Sequence, residues 1–240
     1  MKRFNWGNIR LLLIISGVIF LYAFSSNRNA HRHLRKSEVV FENAETLYMT
    51  PEAVNKLLIE KNSAFAAIEK ENLDLNKLEK AVNAHEMVEK SEIFVSVDGV
   101  LKAVVKQKTP VVRVFDESGS FYIDYEGNKM PLSTMYTARV PLVSGGVNGA
   151  NTSDLKKVFR SIHDDDFLRK NITGIRVSPS GSLVMTNRNY DYEIDFGKPV
   201  NIERKFKNYK AFFQKAAQDS TIKNYKTINL KFIQQVVCSK

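Results

Sequence analysis

The residues best equipped for chemistry in this chain are His163, Asp164, Asp165 and Asp166, an imidazole and three carboxylates in an unbroken run. Carboxylate oxygens and imidazole nitrogens ligate divalent cations, so a metal could be held there. The run also falls where a helix is expected to end, and solvated charge at a helix terminus explains it as well. Glu193 and Asp195 are two residues apart in a stretch of strand character, which puts them on one face about 7 Å apart. That spacing suits an acid–base carboxylate pair, and equally a solvated sheet face. His31 and His33 share the same spacing, but no cysteine or carboxylate accompanies them. Cys238 is the single cysteine; it has no internal partner for a disulfide and no histidine nearby in sequence to activate it. Asn151-Thr152-Ser153 and Asn171-Ile172-Thr173 match glycosylation acceptors, a short pattern that recurs by chance. No G-x-S-x-G elbow, Walker loop, G-x-G-x-x-G or H-E-x-x-H occurs. The expectation is a chain without catalytic residues, metal or cofactor, and not an enzyme.

The element that must position everything else is the apolar run Leu11 to Phe24, LLLIISGVIFLYAF. Its fourteen residues fall short of the ~20 that cross a bilayer as a helix. Widening it to Trp6–Ser26 gives 21 residues and admits one charge, Arg10, near an end where a long side chain reaches the headgroups. A transmembrane helix is therefore expected over residues 9–26. Its anchor residues are Trp6 at the interface and Leu11, Leu12, Leu13, Ile14, Ile15, Val18, Ile19, Phe20, Leu21 and Phe24 in the lipid. The rival reading is a cleaved signal peptide, with Lys2 and Arg3 before the apolar core and Ala23-Phe24-Ser25 as a poor small-x-small site. Either way the remaining chain is exported. Lys2, Arg3 and Arg10 precede the span and Arg28, Arg32, Arg35 and Lys36 follow it, so lysine and arginine bias leaves its orientation open.

The formal charge of +10 invites a nucleic-acid reading, but its distribution argues against one. Residues 1–36 hold seven Lys/Arg and no Asp or Glu, leaving 29 basic against 26 acidic groups in the rest. The basicity is thus juxtamembrane, where it meets anionic headgroups of the lipid bilayer. Hydrophobic content of 43%, with fifteen Phe and nine Tyr, is ample for packed cores. Without an internal disulfide those cores must be held by apolar burial.

Residues 27–36 read as a polar, basic stalk. Val39-Val40-Phe41 is a strand candidate. Thr50-Pro51-Glu52 opens a helix, with an N-cap hydroxyl, proline in the first turn and an acid near the positive end of the dipole. Val54, Leu57 and Leu58 share its apolar face. A second helix starts near Asp74, with Leu75, Leu78 and Val82 on one side. Ile93, Val95 and Val97 alternate, Asp98-Gly99 turns, and Leu101, Ala103 and Val105 alternate again. This strand–helix–helix–strand–strand order makes a small α+β unit ending near Pro110. Beyond it, strands are expected at Val111–Phe115, Ser120–Asp124, Val140–Val143, Ile172–Val177, Leu183–Thr186 and Tyr190–Phe196. Thr152 begins a helix carrying Leu155, Val158, Phe159 and Ile162. A later helix aligns Ile202, Phe206, Tyr209, Phe213 and Ala216. A last strand is expected from Tyr225 to about Val237. Left at a sheet edge, such an apolar strand exposes backbone groups that template pairing with another chain, and only Lys226 and Lys231 guard it.

In this order the pieces resemble the bacterial cell-division family FtsQ, also called DivIB. VVFENAETLYMTPEAVNKLL is similar to the opening strand and first helix of the family's POTRA domain. LDLNKLEKAVNAHEMVEKSEIFVSVDGVLKAVVKQKTPVVRV resembles its second helix and hairpin, with the Gln107-x-x-Pro110 exit. SFYIDYEGNKMPLS is similar to the Y-x-D-x-x-G hairpin of the second domain, and IDFGKPVNIERKFKNYKAFF and YKTINLKFIQQVVC to its late strand, last long helix and closing strand. The resemblance implies an α+β chain with a cytoplasmic N-terminus (1–8), a transmembrane helix (9–26), a basic stalk (27–36), a POTRA domain (37–110) and a mixed-sheet domain with two or more helices (111–238). It implies a non-enzymatic divisome scaffold of the inner membrane, its bulk periplasmic at the division septum. The partners implied are FtsB-like and FtsL-like coiled-coil division proteins and other divisome membrane proteins, through which septal peptidoglycan synthesis is recruited and regulated. It places Phe232 at the family's partner-contacting aromatic, within a partner-binding set of Tyr225, Ile228, Leu230, Phe232, Ile233 and Val236. The alternatives are a POTRA-bearing component of protein export or outer-membrane assembly, and an envelope hydrolase.

Overall fold

The apolar run forms one long helix, α1 (Trp6–Ala30). By length and composition its Ile9–Arg28 portion can cross a membrane, and none of it is buried against the rest of the chain. Trp6 and the apolar side chains from Leu11 to Phe24 named above are all exposed, as lipid-facing residues must be. The computed structural model describes residues 6–30, 34–42, 48–59, 73–116, 119–147 and 152–240. Lys2, Arg3, His31, Arg32, His33, Asn151 and the 60–72 segment between the first two helices beyond α1 lie outside the described residues. The chain divides into two compact units, Met1–Gln107 and Lys108–Lys240.

In the first unit the order is β1 (Lys36–Phe41), α2 (Pro51–Ile59), α3 (Leu75–Asn83), β2 (Val88–Val95) and β3 (Val100–Gln107). Each helix starts where an oxygen meets the free N–H groups of its first turn. Thr50 Oγ1 accepts from the Ala53 N–H at 3.1 Å, and Asp74 Oδ1 from the Lys77 N–H at 3.0 Å. The sheet runs β1-β3-β2, with β1 parallel and β2 antiparallel to the central strand. Leu101, Ala103 and Val105 of β3 alternate inward and are fully buried with Val54, Leu58, Leu78 and Val82 of the helices. Each large side chain there contributes about 1.5–3 kcal/mol of burial. Gly99 takes a φ of 80°, the left-handed geometry that closes the β2–β3 hairpin. That turn recruits Val97, expected as strand: β2 starts earlier, at Val88, and stops at Val95, leaving Val97 exposed. Gln107 is buried and its Oε1 accepts from the N–H groups of Tyr48 and Met49, tying the approach to α2 onto the end of β3.

Among the described residues, the second unit is built on a nine-stranded mixed sheet. Its strands are β4 (Pro110–Asp116), β5 (Gly119–Asp124), β6 (Lys129–Met130), β7 (Leu142–Gly145), β8 (Ile172–Val177), β9 (Leu183–Asn187), β10 (Glu193–Gly197), β11 (Thr227–Asn229) and β12 (Val237–Ser239). They lie in the order β12-β11-β10-β9-β8-β7-β4-β5-β6. The pairs β4–β7, β7–β8 and β10–β11 are parallel and the rest antiparallel. Three helices, α4 (Thr152–Asp164), α5 (Asp166–Asn171) and α6 (Ile202–Gln218), share one core with the inward residues of the strands. Leu155, Val158, Phe159 and Ile162 are all buried at the helical spacing read from sequence, as are Phe206, Tyr209 and Ala216. Two expectations shift. Strand β10 begins at Glu193 rather than Tyr190, although Tyr192, Ile194 and Phe196 do share the buried face. The helix ending near Asp166 is two helices, because Asp165 breaks the first and caps the second.

Candidate functional site

The residues with chemical potential are each taken up by a neighbour. Asp165 Oδ1 accepts from the Leu168 N–H at 3.0 Å and its other oxygen meets Lys210. Burial opposes its ionisation, but these bonds to Lys210 and Leu168 outweigh that and hold its carboxyl below the usual range. Asp166 pairs with Lys170 and Arg169 at 2.6 and 2.7 Å, and Asp164 accepts from the Tyr125 hydroxyl at 3.0 Å. His163 lies edge-on to Tyr125, and desolvation lowers its pKa. Among the described residues no three His, Cys, Asp or Glu side chains converge to hold a metal ion. Glu193 bonds Arg176 at 2.9 Å and Asp195 pairs with Lys231, so this shared face is a set of cross-strand ion pairs. Asn171 donates its Nδ2 to the Phe167 carbonyl at the end of α5. Burial pushes the Cys238 thiol pKa up, away from reactive thiolate.

What remains is the chain after α6. A 3-10 turn, Ile222–Asn224, delivers Tyr225, whose ring meets Phe212 edge-on at 5.4 Å. β11 then pairs parallel to β10, with Ile228 beside Ile194. The expected strand from Tyr225 to Val237 ends here, after three residues. Asn229 Oδ1 captures the Lys231 N–H at 2.9 Å, the side-chain-to-backbone bond that lets asparagine open turns. Lys231 reaches back to Asp195, its stem lying over Gly197, where an added Cβ would come within 2.7 Å of it. Asn208 of α6 donates its Nδ2 to the Ile233 carbonyl at 2.9 Å. So pinned, the chain doubles back and β12 pairs antiparallel to β11, with the Lys226 N–H donating to the Ser239 carbonyl at 2.9 Å.

This geometry divides the expected partner-binding residues. Ile228 and Leu230 are 0% and 1% exposed; they are core residues, their apolar side chains spent on packing under the sheet. Phe232 is 51% exposed, because the turn at Asn229–Lys231 takes it off the face that Ile228 and Leu230 share. Tyr225, Ile233 and Val236 are half-buried. β12, with Val237 42% exposed, is the outermost strand, and no described strand pairs its outer side. Sequence reading missed Asn208, Asp195 and Gly197 as the groups that hold this segment, since each acts from a distant part of the chain.

Comparison with known proteins follows the same stretch. A family model described as FtsQ/DivIB, C-terminal related, matches residues 109–239. Among solved structures, the chain is similar to the major extracytoplasmic domain of the trans isomer of the bacterial cell division protein DivIB from Geobacillus stearothermophilus. The two are 14% identical over 48% of this chain and 97% of that one, with a TM-score of 0.35. No curated protein matches the chain.

Proposed function

Because the chain belongs to the family described as FtsQ/DivIB, C-terminal related, its role lies in bacterial cell division, and we propose that it acts there as a non-enzymatic scaffold. In this reading α1 crosses the inner membrane once, with residues 1–8 cytoplasmic and the bulk periplasmic at the septum. Residues 37–110 act as a POTRA domain that docks upstream partners and directs localisation. Residues 111–238 recruit FtsB-like and FtsL-like coiled-coil proteins, and through them septal peptidoglycan synthesis.

The observation that carries this reading is an open strand edge at β12 beside a half-exposed phenylalanine. Outward N–H and C=O groups on a terminal strand are satisfied when a partner adds a strand of its own. Phe232 and Val237 then supply apolar contact, to which the half-buried Tyr225, Ile233 and Val236 add their exposed parts. Phe232→Asp in the full chain should abolish co-purification with the FtsB-like partner and leave the melting temperature within a few degrees of wild type. Unchanged co-purification would place the interface elsewhere, and a melt lowered by many degrees would make Phe232 a core residue.

A further inference from the structure

β2 is also an outermost strand, eight residues long, with β3 on one side and no described strand on the other. The direction of its backbone groups can be read at both ends. The Ser96 N–H donates to the Val100 carbonyl across the hairpin, so positions 92, 94 and 96 face β3. Ser91, Ile93 and Val95 therefore turn their N–H and C=O groups outward. The Ser91 N–H agrees with this phase: it donates to Asn83 Oδ1 at 2.7 Å, and the Ser91 hydroxyl donates to the same oxygen at 2.9 Å. The outward positions left are those of Ile93 and Val95. Between them Phe94 is 45% exposed on the solvent face, and Val97 at the turn is 73% exposed.

We propose that β2 pairs antiparallel with β2 of a second copy of this chain, about a two-fold axis through Phe94. The register is selected by the edge itself, because outward residues must oppose outward residues. An axis through Ile93 would set Val95 against Ser91, whose N–H Asn83 already occupies. An axis through Val95 would set Ile93 against Val97, which lies in the turn. An axis through Phe94 sets Ile93 against Val95 in both halves and makes four N–H···O bonds. Phe94 then faces Phe94 of the second copy in a non-hydrogen-bonded pair, the closest kind, with Cα atoms about 4.5 Å apart. Glu92 falls opposite Ser96 of the second copy, so no like charges meet across the strands. In a single chain Lys90 pairs with Glu92 at 2.7 Å, but that pair is exposed and readily exchanged. Two three-stranded sheets become one of six strands. The contact is small, and α1 compensates by confining both copies to one bilayer, which raises their effective concentration. That last step alone rests on reading α1 as a membrane anchor; the self-pairing and the partner edge at β12 are independent.

The test uses the full chain in detergent micelles with Cys238→Ser as background. Phe94→Cys should give a disulfide-linked dimer as the main product of mild oxidation, since a non-hydrogen-bonded pair fits disulfide geometry. Glu38→Cys, on the opposite edge strand β1, should give at least tenfold less. In the background chain, Phe94→Lys sets two ammonium groups on the axis and should raise the dimer dissociation constant at least tenfold by sedimentation. Phe232→Asp should leave that constant unchanged, which separates this surface from the partner edge. Equal cross-linking at positions 38 and 94, a dimer that persists with Phe94→Lys, or a background chain that sediments as a monomer at every concentration overturns the proposal.

Discussion

The edge at β2 and the edge at β12 answer the same physical problem in different ways. β2 is long and continuous, and a side chain from the end of α3, Asn83, covers it at Ser91. β12 is three residues, laid down by a chain that Asn229, Lys231 and Asn208 force to double back. One edge is limited from outside by a helix; the other is limited by its own length. The contrast teaches that an edge's availability depends on which side chains consume its donors, as much as on how many residues it offers.

The comparison breaks most directly at Leu230. If the segment beside β12 is core, Leu230→Asp buries an unpaired carboxylate and should destabilise the second unit by about 4 kcal/mol or more. A near-normal denaturant midpoint would instead make it a surface strand. Asn83→Ala strips the partner from a buried N–H at Ser91 and should cost about 1–3 kcal/mol in the first unit. It also frees the Ser91 N–H to oppose Val95, which opens the register about Ile93, so dimer cross-linking through Phe94→Cys should fall along with stability. Asn208→Ala removes one pin from the turn at Ile233, for about 1 kcal/mol. Its effect on partner co-purification should exceed its effect on the melt, because it loosens how Phe232 is presented.

The smallest effect concerns Lys205, buried under the loop that Lys231 crosses, with Nζ donating to the Phe196 and Lys198 carbonyls at 2.8 Å each. Burial lowers its pKa from 10.5, so between that lowered value and 10.5 the unfolded chain binds more protons than the folded one. The penalty for burying the charge is full below this window and lifts as pH rises through it. The stability of wild type relative to Lys205→Met should therefore increase with pH on the approach to 10.5, measured as a difference so that the buried tyrosines cancel. A flat difference would mean that Lys205 binds its proton equally in the folded and unfolded chains, so that burial does not lower its pKa.

Where a feature is local, the sequence announces it. Thr50-Pro51, Asp74 and Asp98-Gly99 each act within four residues, and each does in the fold what its chemistry suggests. Val97 was hidden because the alternation of Ile93 and Val95 runs on into a turn that Ser96 closes with its own hydrogen bonds. Asp165 was hidden in a run of like residues, so its capping of α5 looked like mere charge. The terminal segment was the hardest to read. Its apolar density is that of a strand, while the groups that break it, Asp195, Gly197 and Asn208, lie 25 or more residues away in the chain. No local pattern separates Ile228 and Leu230, which pack, from Phe232, which does not.

The three-residue ladder between β11 and β12 has a consequence in time as well as in space. Ladders this short open by local fluctuation, at a free energy far below that of global unfolding. Amide protons of Val237 and Ser239 should exchange with solvent through such openings, while those of Ile194 and Ile228 wait for the whole unit to unfold. A partner strand can add only to the closed form, so its apparent affinity scales with the fraction of time the ladder is shut. Substitutions that never touch the partner can then weaken binding by changing how long the edge exists.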